Sequence, residues 1–483
     1  MNDMTRRSFV KTSMAAVGGV ATASKAWAEI RGANEDIRLA IVGVRKKGIE
    51  HLAAFRKVPG VRIVALCDAD TQFLDLEKKH FTDRNETVKT YIDYRYLMED
   101  KDIDAVVLSV PDHWHGVMTV WACQAGKDVY VEKPTSHSIW EGRKMTEAAR
   151  KYHRIVGVGS QERSDVGLLA VADYLRQGHL GPVRYARAIS YGLRESIGKV
   201  NGPQPIPTTC DYDLFQGPAP LTPLMREKLH YDWHWIWSTG TGEMGNLGGH
   251  VVDDCRWMND ITTTARGAIS IGGRFGYDDD GETPNTQITY YDFEQFPILY
   301  EIRGLPRSKG NRATDRHRGI RFGLIIQCQE GYFAGGRSGG WVYDNDGKKI
   351  KQFPGDSGGG HQANFIAAMR SRKVSDLNAD ILEGHLSATL CHMGNISYRL
   401  GHRKPVKAIQ KAIAANELLS DAFDRCLDHL KANEIDLGKV SMTIGPMLSF
   451  DRERERFVGQ DSEYANMFLK RNYRAPFVVP ETV

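Results

Sequence analysis

From residue 36 to residue 159 the chain alternates short runs of β-branched and aliphatic residues with stretches of helical periodicity. The runs that predict strands are residues 37–42, 61–67, 103–110, 129–131 and 154–158. The stretches that predict helices are residues 48–57, 71–79, 115–124 and 139–152. Strands that alternate with helices predict an α/β fold with a doubly wound parallel sheet, covered by helices on both faces.

Length and composition limit the class of protein. At 483 residues the chain is too long for one compact core, so two domains are expected. The net charge of +4 includes Arg6, Arg7 and Lys11, and the remainder of the chain is close to neutral. Such a balance provides no basic groove for a nucleic acid. The seven cysteines include no Cys-x-x-Cys pair, which predicts buried free thiols and neither a disulfide framework nor a zinc site.

Residues 1–28 have the pattern of a twin-arginine signal peptide. Arg6 and Arg7 precede a weakly apolar run, residues 14–20, and Ala26-Trp-Ala28 is a small-x-small cleavage site. Residues 29–36 then form a linker to the first predicted strand. The apolar run is too short to remain as a membrane span. We expect a periplasmic protein, or one otherwise exported by the twin-arginine translocation machinery; an ordinary amphipathic helix is the alternative.

The first predicted strand-to-helix turn carries part of a dinucleotide-binding motif. Gly43-Val44-Arg45-Lys-Lys-Gly48 keeps the first and third glycines of that motif, but Arg45 replaces the middle one. Asp68 ends the second strand, where its carboxylate can accept hydrogen bonds from ribose hydroxyls and repel a 2′-phosphate. These residues favour NAD as cofactor, and NADP is the second choice because the Arg45 guanidinium can reach a phosphate. The alternative is a glycine-containing turn that binds nothing.

Two further strands end in clusters of ionisable side chains. Residues 109–115 read Ser-Val-Pro-Asp-His-Trp-His, and the strand at 129–131 leads into Glu-Lys-Pro. The crevice beyond the carboxyl ends of parallel strands is where doubly wound sheets bind ligands. The candidate cofactor-binding residues there are Ser109, Pro111, His113, His115, Glu132 and Lys133. Asp112 is equally suited to cap a helix, and no metal is predicted because histidines two residues apart do not share a helix face.

Six motifs in this order resemble the Gfo/Idh/MocA family, which includes glucose-fructose oxidoreductase and inositol dehydrogenase. They are Gly43 to Gly48, Asp68, Pro111 to His115, Glu132-Lys-Pro134, Gly159-Ser-Gln-Glu-Arg163 and Gly242-Glu-Met-Gly-Asn-Leu-Gly-Gly-His250. The resemblance covers nearly the whole mature chain. It implies a Rossmann domain over residues 37–159 and a C-terminal α/β domain over residues 160–441, whose large open mixed sheet forms a wall of the sugar site and often an oligomer interface. Residues 442–483 are expected to form a C-terminal arm, and the protein to be a homo-oligomer.

Sugar oxidation needs a group that removes the hydroxyl proton while the C–H bond faces the nicotinamide. The resemblance implies that His250 is this acid–base group and that Lys133 hydrogen-bonds the reacting oxygen. Gly245, Gly248 and Gly249 predict a loop that bends tightly and delivers the imidazole to the cleft. A structural role is the alternative for His250.

Asn246 departs from the family pattern, in which many members have an aspartate four residues before this histidine. An amide can orient an imidazole, but it cannot stabilise the charged form as a carboxylate does. Asp253 and Asp254 are the candidates for a compensating carboxylate. The alternative is that both are solvated acids in the first turn of a helix.

Residues 230–237 read His-Tyr-Asp-Trp-His-Trp-Ile-Trp, a segment suited to a sugar. Tryptophan faces stack on the C–H face of a pyranose, and a carboxylate accepts hydrogen bonds from its hydroxyls. The alternative is a hydrophobic strand at an oligomer contact. With the positions implied by the resemblance, the candidate substrate-binding residues are Gln161, Arg163, Asp232, Trp233, Trp235, Asn246 and His250. A loop-rich insertion over residues 203–218 is expected to close over this site, and a helical region over residues 361–400 to pack across the domain junction.

An exported protein meets no general pool of nicotinamide cofactor, so its cofactor has to be loaded in the cytoplasm and recycled within each catalytic cycle. This predicts an oxidoreductase that acts on a sugar or sugar derivative with tightly bound NAD. The alternative is a glycosidase that oxidises a glycoside transiently and returns the hydride, with Tyr231, His234 or Glu243 as a second base. A non-catalytic sugar-binding protein is a third class.

Overall fold

The computed structural model describes residues 36–483; the predicted signal peptide and nearly all of the predicted linker lie outside the described residues. The first part is a 6-stranded parallel sheet in the order β3-β2-β1-β4-β5-β6. Its strands are β1 Ile37–Val42, β2 Val61–Cys67, β3 Lys89–Tyr91, β4 Ala105–Leu108, β5 Asp128–Val131 and β6 Val156–Val158. The connecting helices are α1 Lys46–Phe55, α2 Thr71–Thr82, α3 Tyr94–Glu99, α4 Asp112–Gln124 and α5 Ile139–Lys151. This Rossmann architecture confirms the predicted fold class of the N-terminal part.

Burial along the strands explains why these runs form the centre of a parallel sheet. β4 and β5 are buried along their whole length, as expected of strands that helices cover on both faces. β3 is a short and mostly exposed edge strand, and it contains no apolar run by which the sequence could have indicated it. The strand order reverses between β1 and β4, which places a ligand crevice at their carboxyl ends.

The second part of the chain is built on a large mixed sheet, as predicted. Within residues 183–458 the 12-stranded sheet has the order β14-β13-β12-β11-β7-β10-β9-β8-β16-β15, with β17 paired to β8 and β18 to β17. β7 and β10 are parallel, and the neighbouring pairs are antiparallel. The strands are β7 Val183–Tyr191, β8 Gly267–Gly273, β9 Thr286–Asp292, β10 Ile298–Arg303, β11 Phe322–Cys328, β12 Gly331–Gly336, β13 Gly339–Asp344, β14 Lys349–Pro354, β15 His402–Pro405, β16 Ser441–Ile444, β17 Leu448–Asp451 and β18 Arg456–Val458.

Helices cover both faces of this sheet. The helices are α6 Val166–Arg176, α7 Tyr212–Gln216, α8 Gly242–Trp257, α9 His361–Ser371, α10 Ile381–Arg399, α11 Val406–Ile413, α12 Glu417–Ala432 and α13 Ser462–Asn466, with short 3₁₀ helices at Gln161–Ser164, Asp232–Trp235 and Val374–Asp376. Val252 of α8 and Leu390 of α10 share an apolar core with Tyr300 of β10. Phe423 of α12 packs with Leu299, the neighbouring residue of β10, in a separate core. Successive residues of β10 therefore face opposite helical layers, as the two-residue period of a strand requires.

Two later segments return to the Rossmann part. The Phe365 ring of α9 lies 5.6 Å from the Tyr130 ring of β5. Near the C-terminus, the Phe477 ring lies 5.2 Å from the Trp114 ring of α4, whereas β16 and β17 pair with β8 of the second sheet. The segment from residue 442 onward thus contacts both parts of its own chain. No helix within residues 36–483 is long and apolar enough to cross a membrane.

Candidate active site

A cavity of about 350 Å³ lies where the carboxyl ends of the Rossmann strands meet the second part of the chain. Its walls come from the turns after β1, β2, β4 and β5, from residues 214–234 and from α8. The predicted site residues that line it are Gly43, Arg45, Asp68, Ser109, Pro111, Glu132, Lys133, Trp233, Asn246 and His250. The structure thus brings the predicted cofactor loop and the predicted catalytic pair to one cleft.

The turn after β1 forms a close-packed cradle for a dinucleotide. Gly43 has a φ of 82°, and a Cβ added there would lie 2.4 Å from the Ser109 carbonyl oxygen. A Cβ at Gly48 would lie 1.8 Å from the Gly43 carbonyl oxygen. Gly48 and the buried Val44 shape this turn and are not among the residues that line the cavity. No side chain caps the start of α1, whose backbone N–H groups suit a pyrophosphate.

Asp68 follows β2 beside that turn, and two backbone N–H groups hold its carboxylate. Its Oδ2 accepts a hydrogen bond from the Val44 N–H at 2.9 Å, and its Oδ1 accepts one from the Asp70 N–H at 3.0 Å. Each carboxylate oxygen keeps a lone pair for a ribose hydroxyl. Burial raises the pKa of Asp68 to about 6. The Arg45 guanidinium stacks 4.4 Å over the Phe73 ring, beside this carboxylate.

His250 has a carboxylate partner that the sequence did not reveal. His250 Nδ1 lies 2.8 Å from Glu162 Oε2, and Glu162 is 1% exposed. The other oxygen of Glu162 accepts a hydrogen bond from Arg337 Nε at 2.9 Å. Burial lowers the pKa of His250, and the Glu162 carboxylate opposes that effect. Nε2 is left as the nitrogen that can exchange a proton with a substrate.

Neither carboxylate proposed from the sequence compensates for Asn246. Asp253 forms a buried ion pair with Arg163, at 2.7 Å between Oδ2 and Nε, and Asp254 accepts a hydrogen bond from the Trp257 indole N–H. Both acids lie inside α8 and not in a first helical turn. The Arg163 side chain points into this ion pair and is not among the residues that line the cavity, so its role in substrate binding stays a prediction.

Asn246 forms hydrogen bonds with Lys133 rather than with His250. The Lys133 ammonium donates to the Asn246 carbonyl oxygen at 2.9 Å and to Asn246 Oδ1 at 3.2 Å. A Cβ at Gly249 would lie 3.1 Å from Lys133 Cβ, and one at Gly245 would lie 2.0 Å from Thr241 Oγ1. The glycines thus let α8 pack closely against Lys133, and the predicted bent loop is wrong: they form a helix.

His113 and His115 are buried and do not line the cavity. The two ring nitrogens of His113 lie 3.1 Å from the Thr239 and Phe215 carbonyl oxygens. His115 Nδ1 lies 2.7 Å from the Pro134 carbonyl oxygen. These histidines hydrogen-bond to loops around the cleft, and their role as cofactor contacts stays a prediction.

The aromatic segment forms a short 3₁₀ helix and not a strand. Trp233 and His234 line the cavity as a stacked pair, with ring centroids 3.6 Å apart. Asp232 and Trp235, 7% and 5% exposed, turn away from it, because successive residues of so tight a helix point in different directions. Gln161 also lies outside the central cavity, and its side-chain N–H donates to Glu132 Oε1 at 3.3 Å. Substrate binding by Asp232, Trp235 and Gln161 therefore stays a prediction that the cavity lining does not support.

The fold and the site define a two-domain enzyme architecture in which a Rossmann domain and an α/β domain share one cleft. Residues 37–160 match the family model of the Gfo/Idh/MocA oxidoreductases with an NAD-binding Rossmann fold, and residues 194–295 match that family's C-terminal α/β domain. Both domain models of the Gfo/Idh/MocA oxidoreductase family therefore match this chain, and its first domain is an NAD-binding domain.

Relatives and solved structures share parts of this organisation. A glycosyl hydrolase family 109 protein of Shewanella baltica (strain OS155) is 26% identical over 217 residues, 39% of this chain and 46% of that protein. The match thus spans about half the length of that relative. The WlbA dehydrogenase from Bordetella pertussis, in complex with NADH and UDP-GlcNAcA, is 16% identical with a TM-score of 0.56, over 75% of this chain and 97% of that one. A levoglucosan dehydrogenase in complex with NADH and levoglucosan is 16% identical with a TM-score of 0.55, over 74% and 96%. At this identity the two structures establish the fold.

Proposed function

We propose that the protein is an NAD-dependent oxidoreductase that transfers hydride to or from a carbinol of a sugar or sugar derivative. The observation that carries the proposal is that His250, hydrogen-bonded to the buried Glu162, opens on the same cavity as Lys133 and the cofactor cradle. Gly43, Asp68 and the start of α1 are the groups that would hold NAD, which accepts the hydride when it is bound. NADP is the less favoured cofactor because Asp68 repels a 2′-phosphate.

His250, Glu162 and Lys133 have different roles in the proposed proton transfer. Burial lowers the pKa of His250, so the imidazole is neutral near neutral pH and can accept the hydroxyl proton. The Glu162 carboxylate then stabilises the imidazolium. Two of the three N–H donors of the Lys133 ammonium bond to Asn246, so one N–H remains for the reacting oxygen of the substrate. In the reverse direction His250 returns the proton.

Retention of the cofactor is supported by a strap, residues 192–240, that crosses the cleft. At one point the Thr71 N–H donates to the Thr209 carbonyl oxygen at 2.9 Å. At another, His230 Nε2 lies 2.8 Å from Asp70 Oδ2. These contacts join the strap to the turn that follows Asp68. A dinucleotide under the strap would leave only after they break, which fits a cofactor that is recycled internally.

We also propose that the protein is exported and that it assembles as a homo-oligomer. The twin-arginine pattern of residues 1–28 suits an enzyme that folds around its cofactor before it reaches the periplasm. The open mixed sheet suits a homo-oligomer. Replacing Arg6 and Arg7 with Lys is expected to leave unprocessed protein in the cytoplasm, and continued export would overturn this localisation. A monomeric mass in light scattering would overturn the assembly.

Glycoside cleavage by transient oxidation is a second candidate, which the relatives named glycosyl hydrolase family 109 favour. In that reaction hydride leaves the carbinol and a base removes a proton from the neighbouring carbon. The glycosidic C–O bond breaks as its oxygen is protonated, water adds, and the hydride returns. Among the predicted bases, Tyr231 lines the cavity, and its hydroxyl accepts a hydrogen bond from Arg194 at 3.3 Å. Glu243 pairs with Arg194 outside the cavity lining, and burial lowers the pKa of His234 to about 3.

One experiment separates the classes. NAD-loaded protein is mixed with hexoses, N-acetylhexosamines and uronates, each as the free sugar and as the p-nitrophenyl glycoside, and both reduced cofactor and nitrophenol are followed. Accumulating NADH with an intact glycoside supports the oxidoreductase. Nitrophenol without net NADH supports the glycosidase, and binding without either product would leave only a sugar-binding protein.

A further inference from the structure

A second buried histidine–carboxylate pair separates the central cavity from a neighbouring one. His51 Nε2 lies 2.7 Å from Glu132 Oε1, and the two residues are 1% and 4% exposed. Glu132 lines the central cavity, whereas His51 lines a second cavity of about 410 Å³. The hydride-transfer chemistry proposed above uses neither side chain. Because burying such a pair costs free energy, its position between two cavities indicates a role beyond packing.

Glu132 is held firmly beside the reacting groups. Its Oε2 accepts a hydrogen bond from the backbone N–H of Lys133 at 3.2 Å. A Cβ at Gly159 would lie 2.6 Å from Oε1, so the chain leaves room for this carboxylate only because residue 159 is a glycine. Lys47 is the nearest cation of α1, with Nζ 4.0 Å from Oε1. The carboxylate is therefore fixed at the end of the central cavity that faces His51.

The surroundings of His51 connect its second ring nitrogen to the neighbouring cavity. Nδ1 lies 3.5 Å from Gln362 Nε2, and Gln362 lines that cavity. The Tyr130 and Phe55 rings pack against the imidazole, with centroids 5.0 and 6.1 Å away. The polar residues around the second cavity are Lys47, Glu50, His51, Lys57, Gln161, Arg337, Ser357 and Gln362. The imidazole thus has a carboxylate on one side and a polar cavity on the other.

We propose that Glu132 and His51 form a proton relay from the central cavity to the second cavity. The inference rests on the proposed function. Oxidation of a carbinol breaks the O–H bond and delivers one proton to His250, while the hydride goes to the bound cofactor. His250 has to lose that proton before it can accept another one. Under the strap, the proton needs a route that does not require the cleft to open.

The relay conserves protons at each step. The proton passes from His250 through hydroxyl groups of sugar or water in the central cavity to a Glu132 oxygen. His51 accepts it at Nε2, and its Nδ1 releases a proton to the second cavity. Rotation of the imidazole about its Cβ–Cγ bond then presents a bare nitrogen to Glu132 again, so the transferred proton is not carried back. Glu132 and His51 end in their starting protonation states, and reduction of a sugar draws a proton in along the same path.

The test follows NADH formation and proton release together in a single turnover. The wild type, His51→Gln and His51→Ala are each loaded with NAD. Each protein is mixed with a sugar that reduces the NAD bound to the wild type, in weak buffer that contains a pH indicator. In His51→Gln we expect NADH to form within about twofold of the wild-type rate and proton release to lag about tenfold behind it, since proton-transfer steps commonly contribute 10²-fold or more. Imidazole in solution is expected to restore proton release in His51→Ala, because the neighbouring cavity admits it.

His179→Gln is the matched control, since His179 is an exposed histidine that contacts only Gln177 and Tyr174 among the described residues. It should show no lag. Coincident NADH formation and proton release in His51→Gln would overturn the relay, as would a lag that imidazole does not shorten in His51→Ala. His51→Asn replaces His51→Gln if the latter does not fold. If no sugar reduces the NAD bound to the wild type, the proposed function is wrong, and so is the relay that rests on it.

Discussion

Glu162 sets how readily His250 takes up a proton, because its carboxylate is the negative charge in contact with the imidazole. Burial lowers the pKa of His250 and Glu162 raises it, so Glu162→Gln should lower that pKa further. We expect kcat to fall about 10²-fold, and the acidic limb of the kcat/KM profile to move to lower pH. The measurement is a pH profile of both variants.

Glu383→Gln is the control for that prediction. Glu383 pairs with Arg163 and Arg256, behind the helix that carries His250, and makes no contact with the imidazole. A similar shift in the pH profile of both variants would show that the effect is not specific to the Glu162 contact.

Asp68 should make NAD binding depend on pH. Burial raises the pKa of Asp68 to about 6, and only the ionised carboxylate accepts hydrogen bonds on both oxygens from the ribose. NAD affinity should therefore fall as the pH drops through about 6. Asp68→Asn should bind NAD about tenfold more weakly at pH 8 and lose this pH dependence, as calorimetry can measure. Asp93→Asn, which changes another acid of the same cavity, should keep it.

The sequence could predict the residues at the strand ends, but it could not predict which side chains pair with the proposed site residues His250 and Glu132. Lys133 and Asp68 follow apolar runs, and the carboxyl ends of parallel strands are recognisable from pattern alone. Glu162 lies 88 positions from His250 along the chain, and His51 lies 81 positions from Glu132. No local periodicity reports such contacts, because they depend on how elements far apart in the chain pack together.

At the scale of elements, α8 shows how a glycine run can mislead. Three glycines suggested a loop that bends tightly, yet the segment is a helix whose small residues let it pack closely against other segments of the chain. Backbone entropy argues for a loop, and the packing gained at Gly245, Gly248 and Gly249 outweighs it. The sequence also did not predict the 3₁₀ turn at residues 232–235, because its aromatic content is typical of a strand.

Gly249→Ala tests this role of α8. A Cβ there would lie 3.1 Å from Lys133 Cβ, so the Lys133 side chain should be displaced from the cleft. We expect kcat to fall about tenfold, while the melting temperature stays constant or rises, because Ala favours a helix over Gly by about 0.5–1 kcal/mol. Gly360→Ala, with open space around it, is the control and should leave kcat unchanged. A Gly249→Ala protein with normal kcat would show that Lys133 tolerates the methyl group.

At the scale of the whole molecule, the strap joins the two domains beside the cleft. His230 Nε2 and Asp70 Oδ2, 2.8 Å apart, connect the strap to the start of α2. His230→Ala removes this contact and should speed the release of NAD about tenfold, since one charge-assisted hydrogen bond contributes roughly 1.5–3 kcal/mol. Exchange of labelled NAD into the purified protein measures the rate. His179→Ala should leave it unchanged, and equal rates in all three proteins would show that the strap does not retain the cofactor.

The central claim is that His250 moves the proton when a sugar exchanges hydride with bound NAD. The most direct measurement is the single-turnover reduction of the NAD-loaded protein by sugar, in the wild type and in His250→Ala. We predict that the wild type forms NADH with at least one member of the sugar panel, and that His250→Ala is slower by about 10²-fold or more while its NAD content and melting temperature are retained. NADH formation at the wild-type rate in His250→Ala would contradict the account.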